Sequence, residues 1–140
     1  MASHVSHSES DTEQIAATFA QTLAPGDVVL LQGPLGAGKT AFVRGMARGL
    51  GASAGDVSSP TFSLLQEYPG AIPLFHADLY RLRPVEVPAL GLLDVSADGV
   101  LAVEWPERWP EAPVDALIVT ITKGDDDDRA ISIARATPAT

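Results

Sequence analysis

The chain has no cysteine, which excludes a disulfide framework and any thiolate metal site as the source of its stability. It has no asparagine either, so the N-K-x-D device that reads a guanine base is missing. No apolar run approaches the roughly 18 residues needed to cross a bilayer. The opening residues, MASHVSHSESD, have neither the basic n-region nor the apolar h-region of a secretory leader. These absences agree with a cytoplasmic location and argue against a membrane role. Cations are scarce: nine Lys and Arg face 18 Asp and Glu, for a formal net charge of −9. Affinity for nucleic acid comes largely from cations that neutralise phosphates, so little direct binding to RNA is expected.

What is present describes an ordinary soluble domain. A content of 46% hydrophobic and 19% charged residues is that of a globular chain. A chain of this size buries roughly 68–70% of its unfolded surface, enough for a core without covalent staples. Residues 1–9 are small and polar and are expected to be disordered, residues 10–136 to form a single domain, and 137–140 a tail.

Hydrophobic spacing gives the elements. Ser10 and Glu13 have capping-box spacing, and Ile15, Phe19 and Leu23 repeat every four residues, which predicts a helix over about 11–23. Val28 to Leu31 is a wholly apolar run of the kind found in buried parallel strands. Phe42, Val43, Met46 and Leu50 share one helical face, with Arg44 and Arg48 on another. Gly49 and Gly51 are expected to close that helix. Residues 51–60 read as a loop, 61–68 and 72–78 as strands, and 100–104 as another apolar strand ending in Glu104. Over 84–93 the leucines suit a helix, but Pro88 and Gly91 limit it to a turn or two. Val119/Ile121 and Ile131/Ile133 alternate around the run GDDDDR (124–129), which predicts a C-terminal hairpin with a solvated acidic tip.

The chemistry concentrates in GPLGAGKT, which fits G-x-x-x-x-G-K-[ST] at Gly33, Gly38, Lys39 and Thr40. Glycines let consecutive amides turn inward around phosphate oxygens. The lysine reaches the β- and γ-phosphates, the Thr40 hydroxyl suits Mg²⁺, and the helix N-terminus adds its positive end. Chance supplies the pattern in roughly half a percent of chains this long, and here an apolar strand precedes it and an amphipathic helix follows. A nucleotide site of this kind needs a second acid at the end of a neighbouring strand. Both Glu104 and Asp78 stand at strand ends.

GPLGAGKTAFVRG (33–45), VSSPTFSL (57–64), HADLYRL (76–82) and VEWPER (103–108) together resemble the bacterial TsaE (YjeE) family, small ATPases required for threonylcarbamoyl modification of adenosine 37 in tRNA. The opening helix and strand resemble that family too, so the likeness covers nearly all of residues 10–123. It implies an α/β P-loop NTPase-type three-layer fold, with a mostly parallel central sheet and antiparallel edge strands. It implies ATP or ADP and Mg²⁺ as cofactors, with Thr40 and Glu104 on the metal. Gly33, Leu35, Gly36, Ala37, Gly38, Lys39, Thr40 and Ala41 would bind the nucleotide. Ser59, Pro60, Thr61 and Phe62 match the family's switch-like loop, Asp78 the essential aspartate of its H-x-D-L-Y-R motif, and Trp105 the tryptophan beside its metal-binding glutamate. Lys39, Asp78, Glu104 and Thr61 are thus the candidate catalytic residues. The implied partners are a TsaD-type transferase and a TsaB-type paralogue.

Each role has a structural alternative. Thr61 equally suits the start of a strand, His76 a structural hydrogen bond, Arg81 an ion pair with Asp78 or Glu86, and Trp105 plain packing. The family's paired glutamates after L-Y-R-L are reduced here to Glu86 in the shorter segment RPVEVPAL, with Pro88 inside it. Two other classes share the phosphate turn: a small kinase, which needs a clustered arginine lid that this chain lacks, and a nucleotide-dependent binding switch.

Overall fold

Residues 2–34, 36–52 and 65–135 are described by a computed structural model of the chain, and within them the apolar runs become the middle of one sheet. Its strands are β1 (Ala2–Ser6), β2 (Val28–Gln32), β3 (Leu65–Tyr68), β4 (Leu74–Asp78), β5 (Val100–Glu104), β6 (Leu117–Lys123) and β7 (Arg129–Arg135). Their order is β1-β7-β6-β2-β5-β4-β3. The four central strands, β6, β2, β5 and β4, run parallel. The strands at both edges are antiparallel, so the sheet is the one that the sequence pattern and the family likeness imply.

Alternation within the strands explains the layers. Val29 and Leu31 of β2 and Val100 and Ala102 of β5 join a core with Ala16, Phe42, Val43 and Met46. Those last four come from α1 (Glu9–Ala20) and α2 (Lys39–Gly49). Val28, Leu30, Leu101 and Val103 point the other way, into a core with Leu79, Val87, Leu92 and Trp109. Successive side chains of a strand face opposite sides, and both sides are covered, so each run stays apolar throughout. The second face is covered by a 3₁₀ turn over Pro84–Leu90, a short helix α3 (Leu92–Val95) and the 3₁₀ turn Pro106–Arg108. Pro88 inside the first turn and Gly91 at φ 60° account for its brevity.

Two expectations change. Residues 2–6 are a strand paired with β7, not a disordered tail. Its side chains are mostly exposed, so the backbone ladder rather than burial holds it, which hydrophobic spacing does not register. The first helix begins at Glu9 and is capped by Ser8, whose Oγ accepts from the Asp11 amide at 3.0 Å, while Asp11 Oδ2 accepts from the His7 amide at 3.0 Å. Ser10 is not the cap, and Glu13 instead pairs with Arg44 at 3.2 Å and Arg48 at 3.5 Å across to α2. As expected, α2 closes at Gly49, with Gly51 at φ 74° just past the cap. A Cβ on Gly45 or Gly49 would stand 2.2 Å from the Glu13 carbonyl oxygen or 2.3 Å from that of Ala17. These glycines therefore let α1 and α2 cross with backbones nearly touching.

Candidate functional site

The site forms where β2 runs into α2. Gly33 has φ +155°, and a Cβ there would meet the Ile121 carbonyl oxygen at 2.5 Å, so only glycine lets the turn lie against β6. The Ala37 amide closes a turn on the Pro34 carbonyl at 3.1 Å. Gly38, at φ 107°, is the N-cap of α2 and brings no capping side chain. The helix's positive end therefore opens on a cleft of ≈ 260 Å³ lined by Glu9, Gly36, Gly38, Lys39, Thr40, Ala41 and Glu104.

Lys39 is 5% exposed. Its Nζ donates to the Gly33 carbonyl at 2.8 Å and lies 4.4 Å from the centre of the Trp105 ring, a cation–π distance. Trp105 is held at φ 60°, a conformation that costs a non-glycine residue about 1–2 kcal/mol, and its ring also packs on Tyr80 with centroids 4.8 Å apart.

Glu104 ends β5 and is 4% exposed. His76 Nε2 donates to its Oε2 at 2.6 Å, and the imidazole is wholly buried. His76 Nδ1 is enclosed and has no partner among the described residues. The carboxylate is thus aimed from behind, while Thr40 offers a hydroxyl on the same cleft. Hard oxygen donors of this kind fit Mg²⁺, which takes one or two protein oxygens and completes its shell with phosphate and water. No group of three or more His, Cys, Asp or Glu suited to a metal occurs among the described residues.

Asp78 is the register partner of Glu104 across β4 and β5. Its Oδ1 accepts from the Tyr80 amide at 3.0 Å, and it is not among the described residues lining the cleft. Burial pushes its carboxyl above the usual carboxylate range, the Tyr80 amide pulls it back, and the neighbouring Glu104 charge adds to the rise. Glu86 lies apart from the cleft, tied to the Arg83 amide at 2.9 Å and to the Arg83 guanidinium at 3.4 Å. Leu35 and the segment containing Ser59, Pro60, Thr61 and Phe62 lie outside the described residues.

Sequence spacing missed three charged residues at the site. Glu9 reaches the cleft from the start of α1. Lys123 Nζ lies 3.3 Å from where a Gly36 Cβ would stand. Arg129 donates from Nε to the Ala37 carbonyl at 2.9 Å and from a terminal nitrogen to that of Gly36 at 3.5 Å. The only sequence signal for the last two was their position at the root of a predicted hairpin, whose neighbourhood becomes visible once β6 is known to flank β2.

Comparison with known proteins agrees with the geometry. The sequence model of the family described as "Threonylcarbamoyl adenosine biosynthesis protein TsaE" matches residues 6–131. A protein of Nostoc sp. named "tRNA threonylcarbamoyladenosine biosynthesis protein TsaE" is 42% identical over 129 residues, which cover 87% of this chain and 78% of that one. The identically named protein of Treponema pallidum is 39% identical over 137 residues, covering 93% and 98%. The crystal structure of YdiB from Bacillus subtilis superposes with a TM-score of 0.76 at 34% identity, covering 96% of this chain and 85% of that one. The chain therefore belongs to the TsaE family, whose place is in the biosynthesis of tRNA threonylcarbamoyladenosine.

Proposed function

We propose that the protein is a Mg²⁺-dependent ATPase that supports threonylcarbamoyl modification of tRNA adenosine 37 within a complex of TsaD-type and TsaB-type subunits. The observation that carries the reading is the cleft at the start of α2. There a glycine cradle, a buried lysine and a buried, histidine-aimed carboxylate converge. In this reading Lys39 leaves the Gly33 carbonyl for the β- and γ-phosphates, and the amides at the start of α2 face the same oxygens. Thr40 and Glu104 would hold Mg²⁺, which when bound would neutralise the charge developing on the phosphoryl group. Asp78, half-buried beside Glu104, serves hydrolysis more than binding. Thr61 is assigned to the γ-phosphate on the family likeness alone.

Calorimetry with ATP and ADP, with and without Mg²⁺, tests the assignment. Lys39→Ala should remove a charge-assisted contact worth about 1.5–3 kcal/mol, weakening binding roughly 10- to 150-fold. Glu104→Ala should erase the Mg²⁺ dependence, and GTP should compete poorly. Unchanged ATP affinity in a folded Lys39→Ala protein would sink the reading. Hydrolysis by the isolated chain is expected to be slow, on the order of one turnover per minute or less, as in P-loop enzymes that await an added cationic group. Phosphate release should rise when both partner subunits are added.

A further inference from the structure

The loop that turns its amides toward a phosphate must turn its carbonyls elsewhere, and here each described carbonyl has a destination. That of Gly33 goes to Lys39, that of Pro34 to the Ala37 amide, and that of Gly38 to the Phe42 amide. The carbonyls of Gly36 and Ala37 go to one guanidinium, Arg129, at 3.5 and 2.9 Å. Arg129 comes from the first position of β7 and is itself fastened by donating to the Asp128 carbonyl at 2.8 Å and the Asp126 carbonyl at 3.3 Å. Although it follows four consecutive aspartates, no carboxylate among the described residues lies within salt-bridge distance of it, whereas Arg44, Arg48 and Arg83 all pair with acids. Its charge is spent on loop carbonyls.

We propose that Arg129 is a positioning residue for the phosphate loop: the β6–β7 hairpin holds the Gly36 and Ala37 carbonyls outward and so presets the amides for an anion. A guanidinium has five donors in a fixed planar fork and can serve loop and hairpin at once. An ammonium cannot span both pairs of carbonyls from one atom. The hairpin is held in place by its pairing with β6 and, through β6, with β2. The loop is therefore braced from the same strand pair that Gly33 lies against. The proposal rests on the nucleotide reading for its consequence but not for its geometry.

The test compares wild type, Arg129→Lys and Arg129→Gln. Amide hydrogen exchange of the nucleotide-free proteins is the first readout. Exchange over residues 36–41 should accelerate about tenfold or more in both variants, in line with loss of a charge-assisted bond. The α1–α2 core amides should stay as protected as in wild type. The second readout is ATP·Mg²⁺ affinity, which should fall about tenfold, with Arg129→Lys giving little rescue. A charge effect alone would be rescued by lysine, and that result overturns the proposal. So does wild-type loop exchange in both variants. If wild type itself binds no nucleotide, the ATPase reading fails while the exchange data still decide the brace. Should Arg129→Gln misfold, Arg129→Lys keeps the aliphatic stem and the charge and carries the same test.

Discussion

The two faces of the sheet are built on different plans. One is roofed by two regular helices whose backbones meet at Gly45 and Gly49, and whose Phe42 and Met46 are wholly buried. The other is roofed by a proline-rich path of 3₁₀ turns and a four-residue helix. That path leaves Val85 at 75% and Leu93 at 47% exposure. The phosphate loop grows out of the first plan, where helix start, strand end and hairpin root have no slack. Asp78, the register partner of Glu104, shares the face of the first, whereas Trp105, stacked on Tyr80, packs against the second. The loop, Lys39 and the two carboxylates are thus gathered on the regular face, and the irregular one sends Trp105 across to Lys39.

The comparison breaks if both faces respond alike to truncation. Met46→Ala should fall near the upper end of the ~2–5 kcal/mol range for such changes, and Leu92→Ala near the lower end, because an irregular cover collapses into the cavity more readily. Urea unfolding of both variants measures it, and equal losses would erase the distinction. Next in size is Gly45→Ala. Alanine gains up to about 1 kcal/mol of helix propensity, but its Cβ meets a backbone carbonyl, so a net loss of about 1–3 kcal/mol is expected from overpacking. A stabilised variant would show that the helices separate freely.

Asp78→Asn, on the helical face, acts in the opposite sense to the truncations. A carboxyl raised above its unfolded pKa of about 3.9 costs stability as pH climbs through its folded value, and the whole cost is present at neutral pH. The amide keeps the acceptor for Tyr80, so at pH 7 this variant should melt slightly above wild type while hydrolysing ATP more slowly. At pH 3 the two should melt together. The smallest effect belongs to the exposed His7–Asp128 pair, 2.8 Å apart. The hydrogen bond and charge of Asp128 raise His7. Its contribution is full below about pH 6.5, the ordinary histidine value, and disappears as pH rises through the folded pKa. An NMR titration of His7 should therefore shift downward in Asp128→Asn, with no measurable change in global stability.

Legibility divided along the same line as the two faces. The helical face announced itself, since the spacing of Phe42, Val43, Met46 and Leu50 needs one period to be read, and the glycine turn carries its chemistry in its own spelling. The hairpin also followed from alternation, and its register sets Val119 opposite Ile133 and Ile121 opposite Ile131. Over 84–95 no single period exists to be found, because Pro88 and Gly91 reset the chain every few residues. The first strand escaped for another reason: four of its five side chains are exposed, so nothing in its composition reports the ladder it joins. Arg129 at the loop and His76 behind Glu104 depend on strand order, which local spacing does not encode.

That strand order also sets a timetable. β2 finds its parallel neighbours only in Leu101 and Leu117 and the residues after each, and β1 waits for Ile133 to Arg129, nearly the whole described chain away. Pairings this distant in sequence make closure slow, because loop entropy is lost before any contact rewards it. On a ribosome adding about 5–20 residues per second, the first strand spends several seconds without its partner. The α1–α2 pair, joined by the short path through β2, can form within that interval. The phosphate loop acquires its brace last, when β7 emerges and slots between β6 and β1.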